Sequence, residues 1–528
     1  MTFFLSCKVK LFFSISCLIL LLSSCIVKNN CLSGHHQSLK YALPSEPVSL
    51  DPVESNDLVY NQIVFNIFET LIKYDWEADE FYPMLATSWQ VDTNQVDWTF
   101  KLRPHVTFHD GSPLNALAVK ISFERQISPD SPYFTKNRTD SYGKFALHMI
   151  DNISIVDELT VRFHLKFACS YFLDNIASPY FSSIISPVAL KKYGPKFGHH
   201  PVGTGPFTFS KWEKGEEILL RKYSHYWKKS QGINRIDFLI LANLENRIDM
   251  LKEKKLDIIT GLSASCINDL YYTPEIKVLT PQIIGTNFLG FNCKAKPFDS
   301  RDIREAVCFA LDVKTMITSL SRGFATVANG PIPPQICNTD SLQKQQCYNI
   351  ERARQFMRAA GYANGIDATL GYFVQTDTLR ADPISQYIKS QLGKIGINLK
   401  IVPYNNWKRY EQEILVQGKT NMFIDGWPVF TKHADNFLYN LFHSHSNFNF
   451  FKYNNSDVDS LLTSANKITN NLDRQKIYQH IQQIIIDDTP AIFLSHPTMG
   501  YAMQARVRNF KIDPAMVVNL EDVDRLGD

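Results

Sequence analysis

The segment Pro201-Val-Gly-Thr-Gly-Pro-Phe207 constrains the fold of this chain more than any other stretch. Two glycines stand two positions apart between two prolines, and the alternating strand pattern Phe207-Thr208-Phe209 follows. Because proline fixes φ and glycine tolerates positive φ, the segment predicts a tight, shaped turn that leads into a strand. An ordinary loop is the alternative interpretation. A phosphate-binding loop is disfavoured, since the spacing differs from G-x-G-x-x-G and no Gly-Lys-Ser/Thr follows.

The composition is that of a soluble globular protein with several domains. The chain has 528 residues, of which 45% are hydrophobic and 20% are charged. This length is enough for a large core divided between two or three domains. The formal net charge is only +3, so the charge balance gives no support for a nucleic-acid partner.

The first 24 residues are predicted to be a signal peptide. Lys8 and Lys10 precede an apolar run, Leu11–Leu22, that has the length of a signal-peptide core and is short for a bilayer span. The run ends in Leu22-Ser-Ser-Cys25, which resembles the bacterial lipobox. The resemblance implies cleavage before Cys25 and lipid on that residue, followed by a flexible tether over residues 25–38. Ordinary secretory cleavage, with Cys25 incidental, is the alternative.

The chain contains ten cysteines, without a C-x-x-C pair or a Cys/His cluster at zinc spacing. Cys337 and Cys347 lie in one segment rich in proline and polar residues. In an exported protein this pair can close a loop as a disulfide, which would stabilise the fold by roughly 2–3 kcal/mol. Two free thiols remain the alternative.

The rest of the chain alternates between helical and strand patterns, which predicts the α/β class. Apolar residues at helical spacing, caps and breakers predict helices over residues 57–72, 113–126, 246–255, 299–320, 349–360, 383–395 and 473–487, the second of them capped by Ser112. Alternating or apolar runs predict strands over residues 96–103, 236–241, 397–402 and 421–424.

Several short motifs, taken in order, resemble the extracytoplasmic solute-binding proteins of the oligopeptide, dipeptide and nickel class. The glycine-proline segment at 201–207 resembles the signature turn of that family. The other matching motifs are Leu50-Asp-Pro52, Pro83-Met-Leu-Ala-Thr-Ser-Trp89, Phe100-Lys-Leu-Arg103, Val106-Thr-Phe-His-Asp-Gly111, His225-Tyr-Trp227, Leu289-Gly-Phe-Asn292, the stretch 297–312 and Ala359-Ala-Gly-Tyr362. The matches extend from about residue 40 to about residue 515.

The resemblance implies a two-lobe periplasmic-binding-protein-like fold whose lobes close on a ligand about a hinge. The first lobe is expected over residues 39–285, with an inserted subdomain at about 57–195. The second lobe is expected over 286–488, and residues 489–528 return to the first lobe. We expect crossings between the lobes at Pro281–Phe291 and at Asp487–Leu494. The implied partners are a peptide or peptide-like ligand and ABC-transporter permease subunits, and the implied form is a monomer held to the membrane only by its lipid.

The candidate ligand segment begins at Asp425 and follows the predicted strand at 421–424. Crevices at the carboxyl ends of strands are where α/β lobes bind ligands. Glycine lets a ligand approach the backbone and tryptophan offers a large apolar face, although a Trp that packs the lobe interior is the alternative. The candidate ligand-binding residues are Gly426, Trp427, Pro428, Val429, Phe430 and Asp435.

Two positions depart from the pattern of the peptide-binding members. Those members carry an acid three residues after the tryptophan, which pairs with the free amine of the peptide, whereas this chain has Phe430. His433 takes a second position that is commonly acidic, and Asp435 is the first acid of the loop. Dipeptide-binding members also use an arginine where this chain has Thr376 and Asp377, and the nearest base is Arg380.

These departures predict a ligand that does not need a free α-amine, with Asp435 as a rival partner for such an amine. A modified peptide such as a muropeptide, a metal chelate or another non-peptide solute is an alternative ligand. An extracellular hydrolase is the alternative of a different class, but no catalytic constellation such as G-x-S-x-G or H-E-x-x-H is present. His443-Ser-His445 could hold a metal, yet a structural role is favoured, so we expect no metal and no cofactor.

Overall fold

The structure is a computed structural model that describes residues 38–526, apart from 55–57, 135–142, 144–145, 231, 263, 338, 340–341, 343–347, 375–380 and 469. The predicted signal peptide and Cys25, the predicted site of acylation, lie outside the described residues. Cys347 also lies outside them, so its pairing with Cys337 stays a prediction. None of the described helices is both long enough and apolar enough to cross a bilayer.

Seven strands form the first large sheet. Its central strand, Ser38–Leu43, runs parallel to both of its neighbours, and the outer pairings are antiparallel. Across the sheet, the strands are Ile276–Leu279, Tyr501–Gln504, Ile258–Thr260, Ser38–Leu43, Arg235–Ile240, Glu217–Lys222 and Phe207–Glu213.

Six strands form the second large sheet. Strand Gly285–Phe291 lies inside it and pairs antiparallel with both neighbours, while Ile366–Phe373 pairs parallel with both of its own. Across the sheet, the strands are Ala325–Val327, Ala491–Pro497, Gly285–Phe291, Met422–Pro428, Ile366–Phe373 and Ile397–Tyr404.

Four antiparallel strands form a smaller sheet, in the order Ala86–Val91, Asp97–Leu102, Thr160–Leu165 and Ile150–Asp157. All four lie in the chain between strands Ser38–Leu43 and Phe207–Glu213 of the first large sheet. Three two-stranded ribbons complete the described strands. They pair Ile72–Asp75 with Glu80–Pro83, Val507–Arg508 with Asp524–Arg525, and Lys511–Ile512 with Val518–Asn519.

The described α-helices cover Leu58–Val64, Ala116–Ile127, Phe172–Ala177, Pro179–Ser182, Pro187–Tyr193, Leu244–Lys252, Ala264–Tyr271, Arg301–Ala310, Val313–Ser321, Ile350–Ala359, Ala381–Gly393, Trp407–Tyr410, Asp435–Phe442, Ser456–Ala465 and Asn471–Asp488. A 3₁₀ turn spans Gly194–His199 and a π turn spans Glu411–Val416. The predicted helix at 349–360 is confirmed within one residue. Asn349 caps its first turn, and Gly361, at φ 86°, follows its end.

Three predicted helices have wrong limits, and the structure shows the reason for each. The helix predicted at 57–72 ends at Val64, because the carbonyls of Asn66 and Ile67 instead accept hydrogen bonds from Phe207 and Gly205. The helix predicted at 299–320 is two helices, since Leu311 is extended and Asp312 caps a new one. The helix predicted to start at Pro113 starts at Ala116, because the side chain of Asn115 provides the cap.

The two large sheets organise two lobes, joined by two short crossings. The chain leaves the first sheet at Leu279 and enters the second at Gly285, and it returns between Pro497 and Tyr501. The two crossings contact each other. Gln282 forms an isolated β-bridge with Thr498, and the Met499 amide donates to the Pro281 carbonyl. The return crossing predicted at Asp487–Leu494 is therefore wrong, because Ala491–Pro497 is a strand of the second sheet.

Each lobe has its own hydrophobic core. The largest cluster combines the first sheet with the small sheet and includes the fully buried Tyr41 and Phe163. Two other clusters cover the faces of the second sheet, around Leu370 and Phe493. Phe430 comes from the second-lobe segment of the chain, yet it packs in the first-lobe cluster. A side chain of the second lobe therefore packs in the hydrophobic core of the first lobe.

Candidate ligand site between the lobes

A cavity of about 80 Å³ lies where the segment after strand Met422–Pro428 meets the first lobe. The second lobe contributes Phe430, Thr431 and Lys432 to its wall. Ligand pockets usually have volumes of about 300–1,000 Å³, so this cavity is small for a bound solute of peptide size. A solute of peptide size therefore requires the lobes to separate or the lining side chains to move.

The lining combines aromatic surface with charges of both signs. The first lobe supplies most of the wall, and the turn between strands Lys511–Ile512 and Val518–Asn519 closes one side. The aromatic lining residues are Phe65, Phe68, Tyr74, Trp76, Tyr226 and Phe430, and the charged ones are Glu69, Lys73, Asp174, Lys432, Asp513 and Glu521. Such a lining suits an amphipathic, polar solute better than a purely apolar one.

The glycine-proline segment positions Glu69 at this cavity. A Cβ at Gly203 would lie 2.1 Å from the Ile67 carbonyl oxygen, and one at Gly205 would lie 2.8 Å from the Asn66 carbonyl oxygen. The glycines are therefore required by close backbone contact, and neither adopts the positive φ that glycine tolerates. This contact brings the Thr204 hydroxyl to Glu69, to which it donates at 2.8 Å.

Glu69 is a buried acid held by donors on several elements. Tyr226 donates to one carboxylate oxygen at 2.8 Å, and the Trp227 indole donates to the other at 3.0 Å. Burial raises the pKa of Glu69 to about 7, even though these hydrogen bonds favour the charged form. Burial likewise raises the pKa of Asp174 to about 7 and that of Asp513 to about 6. Near neutral pH the cavity is thus lined by acids close to their titration points.

Phe430 forms the apolar contact between the lobes at the cavity. Its ring stacks on Tyr180 with centroids 3.9 Å apart, and Phe181 meets it edge-on at 6.4 Å. The Ser178 hydroxyl donates to the Phe430 carbonyl at 3.1 Å, which fixes the backbone as well. Position 430, where the resemblance leads us to expect an acid, is therefore occupied by a buried, stacked ring.

Lys432 makes the polar contact beside it. Its ammonium donates to the Tyr74 hydroxyl at 2.7 Å and pairs with Asp79, both on the first-lobe ribbon. Asp79 is largely exposed, so the ion pair is screened by solvent. These contacts close one edge of the cavity.

Asp435 lies behind the cavity wall in the second lobe and is not one of the cavity-lining residues. It is 6% exposed, and within the described part of the chain neither carboxylate oxygen makes a well-formed hydrogen bond. Burial raises its pKa to about 7, while the nearby Tyr478 hydroxyl and Asn466 side chain lower it in part. Asp435 is therefore a buried acid that is only partly compensated.

The remaining predicted site residues lie on or next to the strand rather than in the cavity wall. Gly426 and Trp427 belong to strand Met422–Pro428, so the predicted strand end at 424 is wrong. Trp427 packs against Phe448 and Phe450 inside the second lobe, and its indole donates to the Asn436 carbonyl at 2.6 Å. Pro428 is exposed, and the Val429 amide donates to the Ile284 carbonyl of the outward crossing.

Sequence reasoning missed Glu69, Asp174 and Lys432. Glu69 is the one with a sequence signal, because it is an acid in an otherwise apolar stretch just before the ribbon. Asp174 and Lys432 are brought to the cavity by long-range packing, which leaves no local pattern. Thr376, Asp377 and Arg380 lie outside the described residues.

Comparison with known proteins identifies the family. The family profile of the bacterial extracellular solute-binding proteins, family 5, matches residues 80–449. The chain belongs to this family. The glutathione-binding protein GsiB of Pectobacterium atrosepticum is 30% identical over 496 residues, which cover 92% of this chain and 93% of that protein.

Two solved structures of peptide complexes are also similar. The periplasmic binding protein DppA from Helicobacter pylori, in complex with the peptide STSA, is 27% identical with a TM-score of 0.80, covering 92% of this chain and 98% of that one. The dipeptide binding protein from Pseudoalteromonas sp. SM9913, in complex with Met-Leu, is 26% identical with a TM-score of 0.82, covering 93% and 100%. The expected two-lobe α/β fold and the role as a solute-binding protein are confirmed.

Proposed function

We propose that this protein captures a peptide or peptide-like solute between its lobes outside the cytoplasmic membrane and delivers it to the permease of an ABC importer. The cavity lined by both lobes carries this proposal, because a solute there contacts residues on each side of the hinge. Family membership and the likeness to glutathione- and peptide-binding proteins support it.

Lobe closure is the physical basis of the proposed capture. The lobes are joined only by the crossings at 280–284 and 498–500 among the described residues, so they can rotate with few backbone changes. A solute that contacts both Glu69 and the segment Phe430–Lys432 binds the closed state more tightly than the open state, and it therefore shifts the population towards the closed state. The stack of Phe430 on Tyr180 and the contacts of Lys432 help to hold the closed form.

The ligand chemistry follows from the wall of the cavity. Burying an ammonium without an acidic partner is costly, and Phe430 provides no such partner. We therefore infer that the solute presents an apolar or blocked group to Phe430, and that its polar groups face the charged side of the wall. Asp174 replaces Asp435 as the rival partner for an amine, because Asp174 lines the cavity and Asp435 does not.

The mature protein is proposed to be a monomeric lipoprotein that begins at Cys25 and does no covalent chemistry on its ligand. A loop disulfide between Cys337 and Cys347 is part of the proposal. Cys337 is buried, and the Gln482 amide approaches its sulfur at 3.6 Å. Peptide mapping without reductant would recover the two cysteines cross-linked, and free alkylation of both in the native protein would disprove the pairing.

Calorimetry with glutathione and with di- and tripeptides tests the proposed function. Ala177 lines the cavity and is 7% exposed, so Ala177→Phe should fill it. We expect one-to-one binding of at least one of these ligands by the unmodified protein, and a loss of more than tenfold in affinity in the variant. The matched control is Ala363→Phe, at an exposed position, which should bind normally.

Two outcomes would contradict the proposal. One is the absence of binding by the unmodified protein across the peptide set. The other is equal affinity in Ala177→Phe, with its fold verified by circular dichroism. Mass spectrometry of the peptide after incubation distinguishes binding from the hydrolase alternative. A binding protein leaves the peptide intact, whereas a hydrolase cleaves it.

A further inference from the structure

Two histidines lie at the C-terminal end of helix Asp435–Phe442, at the end opposite to the loop that lines the cavity. His443 ends the helix, and His445 follows after one residue in a turn. The turn is closed by the His445 amide, which approaches His443 Nδ1 at 3.2 Å. The eight-residue helix is about 12 Å long, so this turn is separated from the cavity loop by the length of the helix.

A third side chain from another helix meets the two histidines. Asp459 lies in the first turn of helix Ser456–Ala465, and its Oδ1 is 3.9 Å from His443 Nδ1. One donor atom each of His443, His445 and Asp459 lies within 4.8 Å of the other two. Sequence reasoning considered the two histidines alone, because Asp459 is fourteen residues away from His445 along the chain.

We propose that His443, His445 and Asp459 form a binding site for a divalent transition metal ion of the zinc type. Two imidazoles and one carboxylate are borderline ligands that suit Zn²⁺, Cu²⁺ or Ni²⁺ better than Mg²⁺ or Ca²⁺. Three protein ligands leave at least one coordination position for water. The site shares no residue with the described wall of the cavity, so this proposal stands apart from the proposed function.

The first ligand is held in place by its neighbours. The His443 ring stacks on Tyr439 with centroids 4.3 Å apart. A bound ion would replace the long contact between His443 Nδ1 and the His445 amide.

The carboxylate is oriented by Ser444, which lies between the histidines. Its amide donates to Asp459 Oδ1 at 2.9 Å, and its hydroxyl donates to Oδ2 at 2.5 Å. The same hydroxyl lies 3.2 Å from His445 Nδ1, which links the second imidazole to this network. Hydrogen bonds of this kind fix the direction of metal ligands. Since His445 is exposed, a hydrated ion has access to the site.

Zinc binding by the full mature protein tests the proposal. His35 and His36 of the tether would add background, so each variant is made in a His35→Ala, His36→Ala form. We expect one Zn²⁺ per molecule by calorimetry. His445→Ala and Asp459→Asn should each weaken binding by more than about tenfold, since even outer partners of metal ligands contribute about 10–100-fold.

Two matched controls share the chemistry but not the site. Asp457→Asn removes an exposed acid of the same helical turn, and His480→Ala removes an exposed histidine of another helix. Both should bind Zn²⁺ as the parent does. Co²⁺ substitution should give visible absorption bands that disappear in His445→Ala. The proposal fails if the parent does not bind Zn²⁺, or if the ligand variants bind as tightly as the controls. In that case the three side chains are only a hydrogen-bonded helix end.

Discussion

Replacing Asp435 by Asn should stabilise the protein more at pH 8 than at pH 5. The carboxyl group is buried without well-formed hydrogen bonds, and burial raises its pKa from 3.8 to about 7. At pH 5 the folded protein carries this group as a neutral acid, which Asn resembles in size and charge. At pH 8 the group is ionised inside the second lobe, and the substitution removes that buried charge.

The sign and the size follow from proton linkage. Because the folded-state pKa is raised, the folded state binds the proton more tightly, and stability falls as pH rises from about 4 to about 7. A shift of about three pKa units corresponds to about 4 kcal/mol, at about 1.4 kcal/mol per unit. The Asn amide also needs partners, so we expect a gain of about 1–3 kcal/mol in the free energy of unfolding at pH 8.

The neighbouring His433 acts in the opposite direction. Burial holds its pKa well below the ordinary value, so the unfolded state binds more protons below about pH 6.5 and stability rises with pH there. Both proteins contain His433, so the difference between them isolates Asp435.

Urea and thermal unfolding of both proteins at pH 5 and pH 8 provide the assay. The exposed Asp473→Asn is the matched control and should show no such pH dependence. An equal effect of Asp435→Asn at both pH values would refute the reasoning, as would a larger loss of stability at pH 8.

Three further predictions concern the ligand, the closed state and the anchor. N-acetylation of a bound peptide should change its affinity less than tenfold in calorimetry, because Phe430 offers no charge to a free amine. If acetylation abolishes binding and Asp174→Asn does the same, the argument from Phe430 is wrong. Lys432→Met should speed ligand release in stopped-flow measurements and lower stability by less than about 1 kcal/mol, since Asp79 is exposed. The control Lys476→Met removes a more exposed ion pair that does not line the cavity, and equal release rates in both variants would contradict a role in closure. Cys25→Ala should release the protein from membranes or leave it unprocessed, and a mature N-terminus at another residue would contradict the anchor.

Much of the fold is predictable from the sequence, because the motifs are local and their order is informative. The helix at 349–360 carries its own cap and terminator, so its limits follow from nearby residues alone. The helix that begins after residue 57 has no such terminator of its own. Its end is set by the amides of Gly205 and Phe207, which are distant along the chain. The return crossing is displaced for a similar reason, because the pairing of Ala491–Pro497 is a long-range property.

The candidate site is less predictable than the fold. Phe430 lines the cavity, and its position in the segment follows from the Gly-Trp pair, so its contact with a ligand stays a prediction. Trp427 has the same apolar character but packs against aromatic side chains of the second lobe, since the strand continues four residues further than predicted. Glu69 and Asp174 reach the cavity only through the packing of separate elements. A sequence pattern cannot show which acids converge in space.

The solute bound to protein purified from its own membranes tests the central claim most directly. Native mass spectrometry, followed by extraction and sequencing of the bound material, should find one solute with peptide bonds per protein molecule. The same solute should be absent from Ala177→Phe and present in the control Ala363→Phe. A solute that is retained equally in Ala177→Phe would contradict capture in the cavity, and a bound molecule without any peptide-like group would contradict the proposed ligand class.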